Sequence, residues 1–216
     1  MLFGRSQEEL IALLIALVPA FTIHEFAHAW TAYRLGDSTA KDLGRLTLNP
    51  MKHLDVFGIL LVLVVGFGWA KPVPVNPYNL RHGRRDMAIV AVAGPLSNLA
   101  MAAAMAVVWR LANPGQLPQF AVYALFTFVW LNIVLLFFNL LPIAPLDGFK
   151  VAVGLLPEQL ASRFARTAQW GMFVLIALML MGTVTARLGL PSLDILGTLV
   201  TGPTQAVVSR LLGLPL

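Results

Sequence analysis

The chain has 216 residues, of which 58% are hydrophobic and only 12% charged, and its mean hydropathy is +0.80. A soluble domain of this size has too little interior to hide so many apolar side chains, so the composition points to a lipid bilayer and excludes an ordinary soluble fold. The net charge of +5 lies in short loops between apolar runs, which reads as membrane topology and not as nucleic-acid binding, and the absence of cysteine excludes disulfides, thiolate catalysis and cysteine metal sites.

The first apolar run, Leu10 to Tyr33, is 24 residues long and can span the roughly 30 Å hydrocarbon core. Arg5 gives it the look of a signal-peptide leader, but Glu8 and Glu9 spoil the basic stretch and the run continues through Phe21 and Ile23, so this helix is expected to stay. Its last third carries His24-Glu25-Phe26-Ala27-His28. Each uncompensated charge at mid-membrane costs several kcal/mol or more, so these groups need a partner. Residues four apart on a helix share a face, roughly 6 Å apart, so the two imidazoles can converge on one metal. Zinc suits them, because a catalytic zinc takes three protein ligands plus water, and Glu25 then stands beside that water as general base. The polar end at Arg34 to Asp37 puts the site roughly 10 Å below the membrane surface.

From Gly36 to Pro50 the chain is polar, with a β-capable run at Arg45-Leu46-Thr47-Leu48. Val56 to Ala70 is uncharged but only 15 residues, about 22 Å of helix, so it either spans with strain or re-enters; the proline-rich KPVPVNP follows at 71–77. Met87–Trp109, Phe120–Leu141 and Ala168–Ala186 are long charge-free runs that read as spans. If 56–70 re-enters, eleven of the 15 Lys and Arg residues fall on one side and four on the other (Arg5, Arg110, Arg187, Arg210), as the positive-inside rule favours. The expected architecture is therefore a single-domain, all-α polytopic membrane protein (1–216, core 10–150, C-terminal helices 151–216). It has about four transmembrane helices, a re-entrant segment and a small membrane-associated β element, with the N-terminus outside and the metal near the cytoplasmic face of the cell membrane. The tail from Leu193 is broken at Gly202-Pro203 and fits either an interfacial helix or a short further span.

A third zinc ligand is expected in NLLPIAPLDG at 139–148. Pro142 and Pro145 break the preceding helix, and Asp147 at membrane depth would be stabilised by a metal; the bland alternative is a helix cap. A second constellation, Gly94-Pro95-Leu96-Ser97-Asn98, lies inside the 87–109 run. Asn98 and Asn139 are buried amides that either bond a substrate backbone or hold a kinked helix, and Asn132 reads as a helix-helix contact. His53 and His82, in basic loops, read as ordinary surface or interface histidines and not as ligands.

Taken together, HEFAH, GPLSN and NLLPIAPLDG in this order resemble the site-2 protease family of intramembrane zinc metalloproteases. GRLTLNP and GWAKPVPVNP resemble a compact bacterial and archaeal branch of it that carries no PDZ or CBS segment. The likeness runs from about Ile11 to Lys150. It implies zinc on His24, His28 and Asp147, Glu25 activating water, Asn98 and Asn139 near the cleft, and a single-span membrane protein or membrane peptide as substrate. One departure is His53-Leu54-Asp55-Val56, where the branch commonly has Asp-Pro after the loop histidine. A helical substrate must unwind before its carbonyl is accessible, and the extended segment is expected to pair with an edge at Arg45–Leu48, centred on Leu46, or at Val73–Asn76. Two other classes compete: a metal or proton transporter, which needs ionisable groups along the whole membrane, and a non-catalytic binding protein, which would have lost one of the four site residues.

Overall fold

The computed structural model describes residues 6–65, 68–188 and 193–215. Nine α-helices run along them: α1 (Gln7–Arg34), the short α2 (Thr39–Asp42), α3 (Val56–Val65), α4 (Arg84–Leu111), α5 (Gln119–Asn139), α6 (Asp147–Leu155), α7 (Glu158–Ala165), α8 (Ala168–Arg187) and α9 (Gly202–Leu212). Helices α1, α4 and α5 are long and apolar enough to cross a membrane. Helices α7 and α8, bent by 62° at their junction, make a fourth crossing if taken as one broken span. Glu9, which spoils the leader pattern, belongs to a reciprocal capping box with Ser6 that starts α1.

Helix α1 packs against α4 and α5, and α4 against α5 and α6. The reason is legible on α1, where Ala12, Ala16 and Ala20 recur every fourth residue, all fully buried, so that the neighbouring helices approach closely. On the far side of α4, Ala102, Ala106 and Trp109 meet Val129, Ile133 and Leu136 of α5. The tail closes this cluster: Val208 and Leu212 of α9 insert into it. The Trp109 indole N–H donates to the Leu212 carbonyl at 3.2 Å, and Arg110 donates to the carbonyls of Leu211 and Arg210 at 2.7 Å each, satisfying the last turn of α9.

The short apolar segment folds back on itself. Leu54 pairs with Ala70 in an antiparallel bridge, and the Lys71 N–H donates to the His53 carbonyl at 2.8 Å, so both ends of the segment leave from one place. Gly58 sits at the throat, where a Cβ would collide with the backbone of Trp69. Helix α3 lays Val62 against Leu13, Leu17 and Phe21 of α1.

The expected β element reduces to that bridge, since no strand occurs among the described residues. Arg45–Leu48 is irregular because other bonds take its polar groups: Gly44 turns with φ +67°, the Arg45 guanidinium donates to the Lys71 carbonyl at 2.6 Å, and His53 Nε2 donates to the Thr47 carbonyl at 2.7 Å. His53 is fully buried, against the surface position expected for it. His82 is exposed, beside Asp86.

Asp37, fully buried just after α1, ties the loops together. Its carboxylate accepts from the N–H and hydroxyl of Thr39, from the Asn76 N–H at 2.7 Å and from the Asn79 amide at 2.9 Å. Burial alone would raise this carboxyl, but the hydrogen bonds from Thr39, Asn76 and Asn79 outweigh it and hold the group below the ordinary aspartate range. A depressed folded-state value means that the stabilisation is complete above the ordinary range and is lost as pH falls through the lowered value. Asp37→Ala should therefore lower stability by about 1–3 kcal/mol at neutral pH, with the difference from wild type shrinking in acid, as read by unfolding in detergent at both pH values.

Candidate metal centre

Three elements bring three ligand atoms to one point. Helix α1 supplies His24 and His28 from one face, the chain break after α5 lets α6 begin at Asp147, and α4 passes behind. His24 Nε2 and His28 Nε2 are 3.1 Å apart, and Asp147 Oδ2 lies 3.2 Å from the first and 3.1 Å from the second. All three side chains are buried.

The outer hydrogen bonds fix which nitrogen bears the proton in each neutral ring. His28 Nδ1 is 2.8 Å from the Val90 carbonyl, which only accepts, so Nδ1 is protonated and Nε2 is the atom left with the lone pair when the ring is neutral. For His24 the direction is set further out. Asn132 donates its amide to the Phe128 carbonyl, so its oxygen accepts from Asn98 Nδ2 at 2.8 Å, and the Asn98 oxygen accepts from His24 Nδ1–H at 2.6 Å. With both rings neutral, the two Nε2 atoms and the carboxylate oxygen are acceptors pointing at one another. Three acceptors this close repel unless a cation sits among them. A tetrahedral set with bonds of about 2.0–2.1 Å places its ligand atoms about 3.3 Å apart, close to the spacing found. Two imidazoles and a carboxylate are a borderline-soft donor set of the kind zinc takes, and the residues fit it.

Gly94 of α4 faces the same point. A Cβ there would land on Nε2 of His28 and of His24, so this residue keeps the space where the ligand atoms converge. The remaining Asp147 oxygen, Oδ1, lies 3.4 Å from the Lys150 ammonium, which leaves Oδ2 to the imidazoles. Glu25, also buried, accepts the Val73 N–H at 2.9 Å. His24, Glu25, His28 and Asp147 open onto a cavity of about 460 Å³ roofed by Trp69, Ala70, Pro72 and Val73, with Asn139 and Lys150 also in its wall.

Two of the residues expected at the substrate do not line the cavity. Asn98 lies behind His24, and both ends of its amide are engaged by His24, Asn132 and the Ala20 carbonyl, so it orients a ring and does not face the cavity. Leu46 does not line the cavity either, because its segment turns away with Arg45 and Thr47 bonded elsewhere. Asn139 does line it, although its amide donates back to the Leu135 carbonyl at 3.0 Å. Asn132 makes the expected helix-helix contact. Sequence reasoning singles out Gly94 only as part of the GPLSN constellation, without a place at the ligands, and misses Lys150. The only signal for Gly94 is its place one helical turn before Asn98, and for Lys150 its place one turn after Asp147.

A family model described as Peptidase family M50 matches residues 110–182, a stretch with Asn132, Asn139, Asp147 and Lys150 but without the paired histidines. Among curated relatives, the Bacillus subtilis protein named "Putative zinc metalloprotease YwhC" is 42% identical over 172 residues, covering 77% of this chain and 78% of that protein. Rip2 of Mycolicibacterium smegmatis, named in the same way, is 31% identical over 175 residues, covering 79% of this chain and 67% of its own. MJ0611 of Methanocaldococcus jannaschii, again so named, is 32% identical over 138 residues, 64% of this chain and 67% of its own. No solved structure matches the chain.

Gly94→Ala tests the space at the centre. In an exposed helix interior glycine to alanine gains about 1 kcal/mol, so the helix itself is not weakened. Zinc affinity should nevertheless fall at least about tenfold, measured by competition with a chelator, while the chain stays folded.

Proposed function

Because the chain belongs to peptidase family M50, the site-2 proteases, we propose that it is a zinc-dependent endopeptidase that cuts a membrane protein within or near a transmembrane helix. The observation that carries this reading is the buried meeting of His24, His28 and Asp147 beside Glu25 at the wall of a largely apolar cavity. Bound zinc supplies a Lewis acid that polarises the scissile carbonyl and makes water acidic enough to ionise near neutral pH.

The chain's own residues do the rest. His24 and His28 are presented as neutral ligands by Asn98 and the Val90 carbonyl, and Asp147 is held to one oxygen by Lys150. Glu25 takes the proton of the attacking water and returns it to the amide nitrogen as the C–N bond breaks, so that one water is consumed for each peptide bond cut. The cavity walls from α1, α5 and the 69–73 segment exclude bulk solvent from this exchange. The substrate's helix must open locally, because its own amides are paired within it.

We place the protein in the cell membrane as a multi-pass chain with the N-terminus outside and the site near the cytoplasmic face. The paired ends of the 54–70 segment support its re-entry, which puts the basic loops on one side. His24 and His28 of α1 and Asp147 at the start of α6 gather at one point and do not line a path along the helices, which disfavours a transporter.

Glu25→Gln, compared with wild type on a single-span substrate in detergent, should keep one zinc per chain and reduce turnover by at least about 10²-fold. Turnover near the wild-type level would end the general-base assignment.

A further inference from the structure

The KPVPVNP stretch and the buried Arg45 and His53 take no part in ligation, yet they are built around Glu25. Prolines 72 and 74 have no N–H and fix their own backbone torsion, and each also confines the residue before it, Lys71 and Val73, to an extended form. The single main-chain donor between them is Val73, and it is used on Glu25 Oε2 at 2.9 Å. Both sides of this donor are anchored. At Lys71 the N–H donates to the His53 carbonyl and the carbonyl accepts from Arg45. At Asn76 the N–H donates to Asp37. Arg45 is buried, and its guanidinium lies within electrostatic reach of Glu25. His53, fully buried, bonds the Thr47 carbonyl and so ties the loop that carries Arg45 to the same strap.

We propose that Val73, through its main-chain N–H, and Arg45, through its hold on Lys71, are positioning residues that fix the orientation of the Glu25 carboxylate beside the metal centre. This rests on the reading of Glu25 as general base and adds the device that aims it. A stiff strap with one donor between two prolines places that donor with little freedom, so one carboxylate oxygen is held and the orientation of the other follows. The GRLTLNP and KPVPVNP motifs then have a shared task, which is to fix the register of the strap. This task acts on the Glu25 carboxylate, so the effect should fall on kcat far more than on KM.

Two measurements test this. In hydrogen exchange the 71–77 stretch has amide hydrogens only at Lys71, Val73, Val75 and Asn76, and Val73 should be protected in wild type and lose that protection in Glu25→Ala. In kinetics on a single-span substrate, Val73→Pro and Arg45→Ala should each lower kcat by about tenfold or more, with KM within about twofold and zinc content unchanged, and Arg45→Lys should recover part of the loss. Unchanged exchange at Val73 in Glu25→Ala, or an unchanged or raised kcat in both Val73→Pro and Arg45→Ala, would overturn the proposal. Glu25→Gln run in parallel separates the two ideas. If Gln is inactive and the strap variants keep kcat, positioning fails alone; if Gln is active, the base assignment fails and positioning with it.

Discussion

Three acceptor atoms with their lone pairs aimed at one point inside an apolar helix bundle are the constraint on which the structure depends. With both rings neutral they repel, and burial removes most of the solvent that would offset this. Much of the surrounding architecture works to keep them there. The Val90 carbonyl and the Asn98–Asn132 pair hold both protons on the far side of the imidazoles. Lys150 draws off the second Asp147 oxygen, and Gly94 leaves the meeting point open. A divalent cation turns this arrangement from repulsive to attractive, so zinc binding and the packing of α1, α4, α5 and α6 are one equilibrium.

Position in depth follows from the same constraint. Two ligands come from a continuous helix, and the third comes from a helix start, where the chain turns back toward them. Pro142 and Pro145 stop α5, and α6 begins on Asp147 itself. The base is held by a different device, a loop that folds back from 54 to 70 and delivers the strap over the cavity. The ligands and Glu25 share α1, but the Glu25 carboxylate has a further partner in a loop, the Val73 N–H.

What is legible in the sequence follows this division. His24, His28 and Glu25 are visible because helical periodicity is local. Asp147 is visible because two prolines open a helix end at membrane depth and an acid placed there needs a cation. The short 56–70 segment reads as re-entrant from length and charge, and its ends do meet. The β element expected at Arg45–Leu48 fails because alternating residue types report propensity, whereas Arg45 and Thr47 find partners in Lys71 and His53, distant in sequence. Asn98 is a buried amide seeking partners, as its sequence context implies, but those partners are a ligand ring and a second asparagine. The place of Gly94 against the ligand rings and the burial of His53 leave no local trace, since both depend on which helix or loop lies opposite.

The claim at the centre is that His24, His28 and Asp147 together bind one zinc. X-ray absorption at the zinc edge of the purified protein addresses it directly. The account predicts one zinc per chain with two imidazole nitrogens and oxygen at about 2.0–2.1 Å, and loss of that signal when either histidine is replaced by alanine. A shell without two imidazoles, or one that survives His24→Ala and His28→Ala together, would contradict it.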